Sequence, residues 1–384
     1  MTGSGRAGDP EVTVVLVGPP PRTGPSPALD SLLAQSIWLR RPGALQLLAA
    51  GTGGAAVAGC VELFGDRQRV RGRYLFFLGT GERLAEQALE RLVGLADRAG
   101  ADVVLGRTAG AEQPAFEREL FERTREQVGF TDSALAYALP QARLFRRAAL
   151  EYHGLPTLGL DPSCDLRFAL PFAVETCLRS RRVAVLGGVD CLLAAAPEAP
   201  DRPRHEERLR ALAAALVVAE RLAEPGAEAA ALRDWAFGWE LPRLLRPDFL
   251  TLEVAAQRRL CAGVGRLVER YCPAAEYQAL APRDRLRLDL ARRGRAAALR
   301  RLIRYQAAYG EPVGYRVAGE ERPVAVLPAQ LGPSLVLQVW RGLVPAQVRR
   351  RLRRRPAWRG LMNRAYARWG QGPSQGELRD VTAV

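Results

Sequence analysis

Gly51-Thr52-Gly53-Gly54 is a glycine run whose backbone N–H groups could cradle a phosphate, although a lone run of this kind more often marks a turn. Arg146 and Arg147 stand side by side, and a guanidinium fork suits phosphate oxygens; in so arginine-rich a chain a solvated pair reads equally well. His153 and His205, the only histidines, are far apart in sequence and give no case for a metal site or a catalytic triad. The six cysteines, at 60, 164, 177, 191, 261 and 272, show neither C-x-x-C spacing nor the density of a disulfide scaffold. They read as buried free thiols in a reducing cytosol.

The elements that must position any site alternate over residues 11–198, the pattern of an α/β domain with a mostly parallel sheet. Strands are expected at Val12–Val17, Leu45–Ala49, Tyr74–Leu78, Asp102–Leu105 and Val183–Leu186, with helices at Ala28–Gln35 and Leu84–Ala99. Residues 199–204, with two prolines and alternating charge, read as a linker. After them the pattern is helical over 205–308, including a helix from Asp284 to Gln306. Valine-rich runs at Val313–Val317, Val324–Leu327 and Leu335–Trp340 suggest a small β unit over 309–340, followed by a basic segment and a polar tail over 341–384.

With 384 residues, 48% of them hydrophobic and 25% charged, the chain reads as a soluble globular protein of more than one domain. The apolar run Val12–Val17 is too short for a signal-peptide core, and Ala211–Ala219 falls short of the roughly 18 residues a membrane span needs. A cytoplasmic protein, peripheral on the inner membrane face, is the expected location.

Several short segments occur in one order: Val12–Val17, Asp30–Ser36, Tyr74–Leu78, Ala101–Gly106, Leu144–Arg147 and Asp165–Phe168. Together they resemble family 2 glycosyltransferases, which have the GT-A fold. Trp239–Leu245, Arg285–Arg287 and Leu302–Gln306 are similar to the helical linker domain of wall teichoic acid glycosyltransferases and their actinobacterial relatives. The resemblance covers residues 11–308 and implies transfer of a sugar from a nucleotide-sugar donor to a cell-surface glycan or teichoic-acid-like polymer.

Such chemistry needs positive charge against the leaving diphosphate, usually a divalent metal held by carboxylates, and a base at the acceptor hydroxyl. In the family the strand matching Tyr74–Leu78 runs into Asp-x-Asp-Asp, whose acids approach the metal and the ribose. Here the run is Leu78-Gly79-Thr80-Gly81-Glu82, so Glu82 alone remains as a donor-binding acid. The family's Asp-Asp-Gly-Ser, which contacts the uridine, aligns with Ala49-Ala50-Gly51-Thr52, leaving Gly51 and Thr52 as donor-binding candidates. The family's acceptor-activating carboxylate falls on Asp165, with Asp161 as a competing register and a helix N-cap as the plain alternative. Arg146 and Arg147 take the place of phosphate- or acceptor-binding residues.

These departures imply a catalytically degenerate relative with no metal cofactor. The alternative is a non-catalytic scaffold that binds a glycan, an anionic membrane surface or a partner transferase.

The formal charge of +15 is concentrated: Arg341–Gly370 holds ten arginines and no acid, and carries no recognisable nucleic-acid motif. Its partner is expected to be a polyanionic surface, either acidic lipid headgroups or a phosphate-bearing glycan, and not a nucleic acid. Anionic headgroups contribute about 1 kcal/mol per nearby basic residue, so the full chain should co-sediment with acidic liposomes at low salt and lose them at high salt. A truncation ending at Trp340 should not bind; equal binding by both chains would rule the segment out.

Overall fold

The computed structural model describes residues 9–17, 26–50, 61–62, 70–109, 115–154, 170–193, 205–223, 226–309, 314–318 and 322–326. Two compact units divide the chain, Met1–Ala236 and Phe237–Val384.

The first unit is built on β1 (Val12–Val17), β2 (Leu45–Ala50), β3 (Val61–Glu62), β4 (Tyr74–Gly79), β5 (Arg83–Leu84), β6 (Val103–Ala109), β7 (Arg125–Val128), β8 (Ala142–Arg146) and β9 (Val183–Leu193). They form one sheet in the order β3-β2-β1-β4-β8-β6-β9-β5, with β7 on β9. All six residues of β1 are buried, as a largely apolar strand covered on both faces requires, and its one polar residue, Thr13, donates to Gln46 Oε1 at 2.8 Å. The long ladders are parallel: β1 pairs β2 and β4 over six residues each, and β6 pairs β9. Between β4 and β6 the strand β8 runs antiparallel to both. Its first residues therefore lie at the carboxyl end of β4.

Side chains alternate across these strands. One face sends Val12, Val14, Leu16, Tyr74, Phe76, Leu78 and Leu144 into a core with Leu89, Leu92 and Ala96 of the helix Ala88–Ala99. The other face carries Phe77 and Phe145. They meet Phe172 of the helix Leu170–Arg179 edge to face, at centroid distances of 5.8 Å (Phe77–Phe145), 5.8 Å (Phe77–Phe172) and 5.1 Å (Phe145–Phe172).

The expected helix from Leu84 starts only at Ala88, because Arg83 and Leu84 pair with β9 as β5. The turn before β5 is held from below by the helix Pro27–Leu33, whose N-cap Ser26 donates to Thr80 O at 3.4 Å. Fully buried Gln35, just past that helix, donates to Ala85 O at 2.8 Å and accepts from Leu89 N at 3.2 Å.

The helix His205–Ala223 belongs to the first unit, where Arg221 meets Glu175 of the helix Leu170–Arg179 at 2.8 Å. Compactness thus divides the chain later than the composition break at 199–204, which lies outside the described residues. The composition marks where strands stop, whereas His205–Ala223 still buries Leu212, Ala215 and Leu216.

In the second unit the helices Val254–Tyr271, Pro282–Arg292 and Ala296–Tyr309 pack around Leu260, Val264, Leu286, Leu290, Leu299 and Ile303, all fully buried. A single helix from Asp284 to Gln306 is not what forms. Gly294 takes φ +66°, a left-handed turn that glycine adopts without a Cβ penalty, and Arg295 N closes on Leu290 O at 2.9 Å. Strands β10 (Gly314–Ala318) and β11 (Arg322–Val326) form an antiparallel hairpin. The third expected strand, Leu335–Trp340, and the basic segment lie outside the described residues. Among the described residues no helix is long and apolar enough to cross a membrane.

Candidate functional site: an arginine and a glutamate at the carboxyl edge of the sheet

Parallel β1 and β4 end level, with Val17 opposite Gly79. From Gly79 the chain turns through Thr80 and Gly81, and Glu82 folds back onto it. Gly79 N–H donates to Glu82 Oε2 at 2.8 Å. A Cβ on residue 79 would stand 3.1 Å from that oxygen, so the glycine makes room for the carboxylate. Glu82 is the surviving acid expected from sequence, and it does lie at this edge.

Its second partner was not expected. Arg143, on β8, donates from Nη2 to Glu82 Oε1 at 3.0 Å. The arginine side chain is 8% exposed and the glutamate 22%. Arg143 Nε is enclosed and has no hydrogen-bond partner. Alternation along β8 puts Arg143 on the face of Phe145, so the guanidinium extends from beside the aromatic cluster. Further along the same edge, Gln141 accepts from Thr108 N at 3.0 Å, while Arg107 pairs with Asp190 at 2.5 Å. Thr108 Oγ1 is also enclosed without a partner.

Arg146 and Arg147, expected to face phosphate or acceptor, lie away from this edge. Arg146 pairs with Tyr74, the first residue of β4, about 16 Å along the strand from Gly79 at roughly 3.3 Å per residue. It donates to Ala101 O at 3.0 Å and Ala96 O at 2.9 Å and covers the Tyr74 ring. Arg147 donates to Gly72 O at 2.9 Å and Glu151 at 3.1 Å. Both tie down the amino end of β4, together with Arg73, Asp97 and the Tyr74 hydroxyl. Burial alone would raise the Asp97 carboxyl, but hydrogen bonds from Arg73 and Tyr74 outweigh it and hold it below the usual range. Because β8 is antiparallel to β4, the residue that reaches the other edge comes three positions before Arg146.

Gly51, Thr52, Asp161 and Asp165 lie outside the described residues; Asp165 precedes the helix Leu170–Arg179 by five positions. His153 stacks edge to face on Tyr152. Cys177, Cys191 and Cys261 are free and buried, and burial pushes each thiol up to about 12, which makes them unreactive.

Among the described residues this edge offers a divalent ion few protein ligands. Hard cations take about six oxygen ligands, whereas the turn from Gly79 to Glu82 offers one carboxylate with both oxygens engaged. No group of three or more metal-ligating side chains occurs among the described residues.

Residues 205–303 match the family model described as the glycosyl transferase TarS linker domain. The structure of S. aureus TarS 1–349 in complex with UDP-GlcNAc is similar to this chain with a TM-score of 0.59 and 13% identity, covering 82% of this chain and 96% of that one. The complex of the same protein with UDP gives a TM-score of 0.57 at 13% identity and the same coverage. The chain shares the TarS fold. A longer TarS structure matches with a TM-score of 0.53 and 15% identity, over 80% of this chain and 57% of TarS. No curated protein matches the sequence. The resemblance drawn from sequence motifs to a wall teichoic acid transferase thus holds at the level of fold, an α/β domain followed by a helical linker region.

Proposed function

We propose that this chain is a TarS-like glycosyltransferase scaffold, related to teichoic-acid synthesis, that has given up metal-dependent sugar transfer. The observation that carries the reading is the commitment of Glu82 to Arg143 and Gly79 N–H. A metal clamp contributes several kcal/mol to departure of a nucleotide diphosphate. Loss of even one such electrostatic contact commonly costs about 100- to 1,000-fold in rate.

The retained role is recognition, of a glycan or teichoic-acid-like polymer or of an active transferase. Asp165 is assigned as the acceptor-side carboxylate of any residual metal-free transfer, with Gly51 and Thr52 on the donor side. The test is product formation from UDP-GlcNAc and a teichoic-acid acceptor with and without manganese. The reading expects no manganese stimulation; a manganese-dependent rate tenfold above the metal-free rate would overturn it.

A further inference from the structure

A guanidinium enclosed within a central strand needs an anion, because an unpaired buried charge is expensive. Arg143 has one in Glu82, yet only one hydrogen bond joins them and Nε is enclosed without a partner. Five N–H donors are thus poorly used. The carboxylate in turn bridges two donors of different kinds, the backbone N–H that ends β4 and the arginine fork. Two oxygens of one anion, held by a backbone N–H and a guanidinium, is also how a phosphate is bound. Glu82 sits on a short turn and is partly exposed, so it can rotate into water; Arg143, anchored in β8 beside Phe145, cannot follow.

We propose that Glu82 is an internal stand-in for an anionic ligand, and that a phosphate of a nucleoside diphosphate displaces it onto Arg143 and Gly79 N–H. The fixed guanidinium then supplies the positive charge that a divalent ion supplies in a metal-dependent transferase. Binding is metal-independent, and Glu82 opposes it. This deepens the proposed function and rests on its reading that no metal clamp operates at this edge.

The roles of Glu82 give opposite signs in a binding experiment. A metal ligand, once neutralised, weakens nucleotide binding. A competitor for Arg143, once neutralised, strengthens it. The test is calorimetric titration of the full chain with UDP and with inorganic pyrophosphate, in EDTA and in manganese. Both probes should bind in EDTA, with manganese changing affinity by less than about threefold, and Glu82→Gln should tighten both by about tenfold. The double variant Arg143→Met, Glu82→Gln removes both charges together, which spares the fold an unpaired one. It should weaken both probes by about tenfold or more, with its fold checked by circular dichroism.

Unchanged binding in the double variant would overturn the proposal. So would weakening by Glu82→Gln, failure of both probes to bind, or binding of pyrophosphate without UDP. Manganese-stimulated transfer by the unaltered chain would instead sink the parent reading, so the two failures can be told apart.

Discussion

Glu82→Ala should destabilise the first unit by about 3–5 kcal/mol, Arg143→Met by about 2 kcal/mol, and the double variant by clearly less than the two together. What decides the order is the group left behind. Without Glu82, the guanidinium stays enclosed beside the aromatic cluster with no counter-charge, the costly outcome for a buried ion. Without Arg143, the carboxylate keeps its bond from Gly79 N–H and can turn toward solvent, while methionine retains most of the arginine stem's packing. The readout is urea denaturation of the three variants. Additive effects, or a larger loss from Arg143→Met, would show that the pair is not coupled as the geometry requires.

Phe145→Ala should cost about 3–5 kcal/mol and lower the melting temperature by roughly 10 °C. Phe145 is 1% exposed and meets both Phe77 and Phe172 edge to face, so truncation removes two ring contacts and opens a cavity between sheet and helix. The same cavity would lie beside the Arg143 stem, two residues earlier on the same face of β8. Phe145→Leu refills most of the volume and should recover more than half of the loss. Equal melting of Phe145→Ala and the unaltered chain would place the rings outside the cooperative core.

Much of the fold was legible because parallel strands covered on both faces are written as largely apolar runs, broken only by Thr13 in β1 and Gln46 in β2. β1, β2 and β4 fall within a residue of where Val12–Val17, Leu45–Ala49 and Tyr74–Leu78 place them. The direction of a strand is not written that way. Arg146 and Arg147 drew attention as a pair, but β8 runs backward between β4 and β6, so they anchor the amino end of the sheet. Arg143, near the start of the same strand Ala142–Arg146, is the one carried to the carboxyl edge. Its signal was a charged residue on the same strand face as Phe145, legible only once that strand is known to be central.

Glu82 was readable as the acid left over when its neighbours are glycines. Its binding to Gly79 N–H was not, since the approach of the carboxylate to within 3.1 Å of where a Cβ at position 79 would stand is set by the folded turn. Gly294 shows the converse: helical periodicity persists across it, and only its left-handed backbone reveals that one pattern is two helices.

If the carboxyl edge holds an arginine–glutamate pair in place of a metal clamp, calorimetric titration of manganese into the full chain saturated with UDP should give heats no larger than those of manganese meeting UDP alone, unchanged by Glu82→Gln. A micromolar manganese site that disappears in Glu82→Gln would contradict it.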